Sequence, residues 1–178
     1  MHATFMNSVL ERSETAASTL EALVRQHVDA LVTYATHLMG DPQDALAYVA
    51  AGLHQARRFP PASLDRDGRA VLYRAVTRAC RQRQRYPAER RGLTRLFKKA
   101  PPLLSLGADA ATVARVNTTK RALMATAPDR RAALLLRDLA GLDYHGVGVA
   151  LECSPEAASR LVAAARREFG SIYRDIAF

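Results

Sequence analysis

The stretch Pro128–Phe169, PDRRAALLLRDLAGLDYHGVGVALECSPEAASRLVAAARREF, carries the signals of three successive helices joined by two tight turns. Pro128 opens the first, at a first-turn position where its missing N–H goes unneeded. Ala132, Leu135, Leu136 and Leu139 form its apolar run, and Gly141 follows where a left-handed terminating residue belongs. A short second helix starts at Asp143 and ends near Leu151. Ser154 and Pro155, a cap residue followed by proline, open the third. On that helix Ala158, Val162, Ala165 and Phe169 share one face, while Glu156, Arg160, Ala163 and Arg167 lie on the opposite one. This layout is that of a helix-turn-helix, whose last helix can enter a DNA major groove. The competing reading is a helical hairpin that only packs.

Charge separates the two. The chain of 178 residues carries a formal net charge of +9, which favours a polyanionic partner. The excess is local. From Arg66 to Lys99 the basic residues are Arg66, Arg69, Arg74, Arg78, Arg81, Arg83, Arg85, Arg90, Arg91, Arg95, Lys98 and Lys99, against only Asp67 and Glu89. Such a surface binds phosphates with little sequence preference and a strong salt dependence.

Abundant Ala and Leu, with Trp absent, favour helix, and no run of alternating β-branched residues appears. Residues 1–17 are polar and patternless, which predicts a flexible arm. Ser18-Thr19-Leu20-Glu21 has capping-box spacing and predicts the start of a helix bearing Leu20, Leu23, Val24, Val28, Leu31, Val32, Ala35 and Leu38, with Gly40 as its end. Asp41-Pro42-Gln43-Asp44 opens a second helix through Ala45, Val49, Leu53 and Ala56, which Phe59-Pro60-Pro61 stops. A third runs from near Asp67 to about Arg85. It turns Leu72, Ala75, Val76 and Ala79 to a core and leaves Arg74, Arg78, Arg81 and Arg85 as a narrow stripe. Pro87, Gly92, Pro101, Pro102 and Gly107 then break the pattern. The expected organisation is all-α: an arm at 1–17, a helical domain at 18–86, a basic linker at 87–110 and a helix-turn-helix domain at 111–178.

The order of these segments resembles the extracytoplasmic-function sigma factors of bacterial RNA polymerase. The resemblance spans roughly Leu20 to Phe169. Gly40-Asp41-Pro42-Gln43-Asp44-Ala45 resembles the family's GDPxDA turn, and Val71-Leu72-Tyr73-Arg74 its WLYR stretch. Leu136 through Tyr144, LRDLAGLDY, resembles its LRxLxGLSY run, and Ser154 through Phe169 follows its recognition helix. The resemblance implies promoter DNA and core RNA polymerase as partners, and an anti-sigma factor in many members. It implies that Arg74, Arg78, Arg81 and Arg85 face the −10 side and that Glu156, Ser159, Arg160, Ala163, Arg166 and Arg167 read a −35-type element. The helix carrying Ala47, Tyr48, Ala50, Ala51 and His54 would meet polymerase, with Arg90, Arg91, Arg95, Lys98 and Lys99 in the connecting tether.

Departures from the family pattern are specific. Ala47, Ala50 and Ala51 stand where the family has Asp, Gln and Glu in DLVQE. Arg78 replaces an Asn, Val71 a Trp and Leu161 an Arg. Gly146 and Gly148 fall inside a short helix, and Glu152 fills a turn position that usually takes Gly. Three functions remain in view: a divergent sigma factor, a sigma-derived DNA-binding regulator that no longer recruits core polymerase, and a helical interaction protein. Nothing suggests an enzyme. His2, His27, His37, His54 and His145 do not combine with the cysteines or acids at metal-ligand spacing, and no phosphate loop or nucleophile elbow occurs. No cofactor is expected. No signal sequence or membrane span is evident, and Cys80 and Cys153 read as reduced thiols of a cytoplasmic protein.

Overall fold

The computed structural model describes the backbone of residues 2–85 and 109–178, and side chains from 18 to 82 and from 109 onward. Seven α-helices make up the described residues: α1 His2–Met39, α2 Pro42–Ala56, α3 Pro61–Arg85, α4 Ala110–Ala125, α5 Pro128–Leu134, α6 Tyr144–Leu151 and α7 Pro155–Ala177. No strand occurs among them. The expected linker 87–110 lies outside them except for its last two residues, where the Asp109 carboxylate caps α4 by accepting from Thr112 N at 2.6 Å.

Helix α1 begins at His2, so residues 2–17 are helical rather than an unstructured arm, and Ser18 is not a helix start. The run Thr4–Ala17 contains neither Gly nor Pro, and adding residues to a nucleated helix is far cheaper than starting one. Gly40 ends α1 at φ 74°, a left-handed conformation in which a side chain would also meet Met124 Sδ at 2.7 Å. Asp41 then caps α2 by accepting from Gln43 N at 2.9 Å, with Pro42 in the first turn. Helix α3 starts at Pro61, earlier than expected, but breaks at Asp67 (φ −129°, ψ 26°). The segment beyond that break is the helix the sequence predicts. Its Leu72, Ala75, Val76 and Ala79 are buried.

Helices α1, α2 and α3 pack on one another, as do α4 through α7. The two sets do not stay apart. α6 lies along α3, the end of α1 meets α4 and α5, and one apolar cluster runs from Leu20 to Ala165. Within it Tyr34 stands edge-on to Tyr73 at 5.2 Å between ring centroids, and its hydroxyl meets Thr77 Oγ1 at 2.8 Å.

A buried cation joins the two sets. Arg131 of α5 is 5% exposed and donates to Leu38 O at 2.8 Å, in the last turn of α1. It donates also to Met124 O and Thr126 O, both at 3.2 Å. The last carbonyls of a helix lack intrahelical partners and carry the negative end of its dipole, so a guanidinium is well placed there. Replacing Arg131 with Met should destabilise the fold by about 2–3 kcal/mol, because carbonyls matched to a charged donor lose it. The unfolding midpoint in urea checks this.

Candidate nucleic-acid interface

The C-terminal segment folds as its caps predict. Pro128 opens α5, but the N-cap residue Ala127 has no side-chain cap. Its N–H instead donates to Glu168 Oε1 of α7 at 3.2 Å. The end of this helix differs from expectation. Leu135–Leu139 form a π turn, with Ala140 N bonded to Leu135 O. One extra residue in the turn rotates the face, leaving Leu139 46% exposed and Ala140 buried. Gly141 follows at φ 67°, as its position requires. Asp143 caps α6 by accepting from Gly146 N at 2.7 Å, and Ser154 caps α7 by accepting from Ala157 N at 3.2 Å.

The turn between α6 and α7 accounts for Gly148. A Cβ there would stand 2.7 Å from the Cys153 carbonyl oxygen, so glycine lets the chain fold back closely onto α6. Glu152 holds φ 62°, the one positive φ at a non-glycine residue among the described residues. For a residue with a Cβ this conformation costs about 1–2 kcal/mol.

On α7 the division of faces matches the sequence reading. Ala158, Val162 and Ala165 are buried, and Phe169 packs against them. Glu156, Arg160, Ala163 and Arg167 are exposed, and Ser159 is half-buried. Arg166 is tied down, since its Nε donates to Asp138 Oδ2 at 3.1 Å. Leu161, where the family pattern has Arg, is half-buried against the core.

The arginine stripe of α3 meets a partner inside the molecule. Arg78 donates to Glu152 through Nε at 2.9 Å and Nη2 at 2.6 Å, and Arg74 pairs with the same carboxylate. The Arg74 guanidinium also lies 5.3 Å from the Phe59 ring centre. Arg81 pairs with Asp129 at 2.8 Å. The side chain of Arg85 lies outside the described residues, as do Arg90, Arg91, Arg95, Lys98 and Lys99. Two further contacts run alongside: Arg69 donates to Ala140 O, and His145 Nε2 meets Asp67 Oδ1 at 3.0 Å. The sequence reading missed Glu152 and Asp129 as partners. The one available signal was a carboxylate at a turn position that suits glycine.

On α2, Ala47, Ala50, Ala51 and His54 are exposed, whereas Tyr48 is buried and donates to Asp44 Oδ2 at 3.2 Å. Tyr48 is therefore a core residue and no part of that surface. Leu46, 65% exposed, flanks it instead. No cluster of His, Cys, Asp or Glu suited to a metal occurs among the described residues, and none of their helices is long and apolar enough to cross a membrane. Both cysteines are free. Burial pushes the Cys80 thiol up to about 12, which removes it from thiolate chemistry.

Burial pushes the Glu152 carboxyl upward, but the hydrogen bonds and charges of Arg78 and Arg74 outweigh it and leave the pKa lowered. Asp67 is lowered in the same way, with His145 and Arg66 overcoming burial. A carboxylate with a lowered folded pKa stabilises the fold above its unfolded value and loses that contribution as pH falls through the folded one. Melting temperature should therefore fall as pH drops below about 5. Glu152→Gln should shrink that drop, as a melting series against pH would record.

No protein-family model matches the sequence, and no curated protein sequence is significantly similar to it. Among solved structures, one similar to this chain is the sigma factor RpoE, in its co-crystal structure with the anti-sigma factor NepR from Bartonella quintana. The two share 18% identity, with a TM-score of 0.64, over 86% of this chain and 96% of the other. The chain has a sigma-factor-like fold.

Proposed function

We propose that this chain is a DNA-binding transcription regulator of the sigma-factor type, reading DNA through the outer face of α7. The observation that carries this is the exposed row Glu156, Arg160, Ala163 and Arg167 on a capped helix behind a tight turn. Arg160 or Arg167 can bond guanine in bidentate fashion, and Glu156 can accept from cytosine. Arg166, held by Asp138, positions α7 rather than reading a base. Arg160→Ala should cost about 1–3 kcal/mol on the preferred sequence and flatten discrimination among duplexes, as a binding-site selection followed by titration would show.

In the fuller form of this reading the chain initiates transcription, with α2 seated on core polymerase. The exposed α2 surface of Leu46, Ala47, Ala50 and Ala51 then makes an apolar contact. The absence of polar groups at these three alanines favours a second reading, in which the protein acts in a sigma-factor circuit without polymerase. An anti-sigma-type protein would then be its partner. Run-off transcription with purified core polymerase separates the two. A transcript supports initiation. No transcript, and no complex with core polymerase at low salt, supports the second reading. Under it, Ala47→Asp combined with Ala50→Gln and Ala51→Glu should create the missing complex, because truncated interface charges are worth about 2–5 kcal/mol.

A further inference from the structure

Glu152 joins three observations that a structural turn residue would not. It holds a left-handed backbone that glycine would adopt without strain. It sends its carboxylate across to two arginines on another helix, 74 and 78 residues away in sequence. Those two are members of the stripe that a nucleic-acid backbone would follow. Arg78 grips both carboxylate oxygens, the fork geometry by which arginine also grips phosphate.

We propose that Glu152 is an internal stand-in for a nucleic-acid phosphate, so that Arg74 and Arg78 form a phosphate-binding pair which the protein's own turn occupies. The contact is autoinhibitory. Asp129 does the same for Arg81, extending the occupied row along α3. The side chains of Arg74 and Arg78 are 29% and 42% exposed, so these ion pairs are wet, and pairs of that kind hold weakly. A polyanion presenting several phosphates at once can therefore displace the carboxylate, and salt weakens the internal pair and the external one alike. The proposal rests on the DNA-binding reading above but adds a surface, distinct from α7, that is closed until displaced.

The test uses the full chain and a duplex of arbitrary sequence, titrated by fluorescence anisotropy from about 50 to about 200 mM salt. Glu152→Gln removes the charge, and Glu152→Gly removes the side chain at a φ that glycine accepts, so the second variant guards against a folding defect in the first. Both should bind several-fold more tightly at low salt. Each phosphate contact contributes about 0.9 to the slope of log affinity against log salt, so freeing both arginines steepens it by about 1.8. Arg78→Ala should remove about half of the gained slope in the Glu152→Gln background, and lower it by less in the unaltered chain, where Glu152 competes for that arginine. Equal slopes for the unaltered chain and both Glu152 variants would overturn the proposal. So would an Arg78→Ala effect as large in the unaltered chain as in Glu152→Gln. Failure of the α7 reading is seen separately: Arg160→Ala would then change nothing on any duplex while the Glu152 variants still gain.

Discussion

One buried guanidinium bridges the two helical sets at the end of α1, beside the apolar cluster they share. Arg131 reaches from α5 to the Leu38 carbonyl in the last turn of α1, and its Nη2 donates to the Met124 and Thr126 carbonyls at the end of α4. A charge so buried costs least where carbonyls receive it, and the Leu38, Met124 and Thr126 carbonyls do so across the junction of the two helical sets. Burial lowers the Arg131 pKa, but an arginine stays charged at any ordinary pH. Alongside this contact, α6 lies along α3. Gly40 is part of the same contact, because Met124 lies where its side chain would be.

That arrangement treats the two basic surfaces differently. The outer face of α7 stays in solvent, with Arg160 and Arg167 exposed. On α3, Arg74, Arg78 and Arg81 are paired with Glu152 and Asp129. Electrostatic attraction acts through what is exposed, so the chain's formal charge of +9 overstates the field available at the α3 face. A basic stripe read from a sequence gives the charge of a helix face but not whether that face is already satisfied.

Local signals were therefore legible and long-range ones were not. The caps at Asp41, Asp143 and Ser154 and the terminating Gly40 and Gly141 are interactions within a few residues, and all fall where the sequence places them. The inward face of α3 follows from helical periodicity alone. Leu139 breaks the rule because a π turn changes the period, and no local residue pattern announces that turn. The start of α1 was missed because a polar run without Gly or Pro can extend a helix as readily as fray from it. Arg131 and Glu152 act through partners far along the chain, one of them a backbone carbonyl that has no residue signature at all.

The contacts between the two helical sets bridge separations of 48 to 93 residues. Closing a loop of that size carries an entropy that grows only with the logarithm of its length, about 0.6 kcal/mol for each doubling. Closure is thus nearly indifferent to how much chain joins α3 to α4. The grip of one half on the other rests instead on the shared apolar cluster, with Arg131 and the arginines of α3 at its edges.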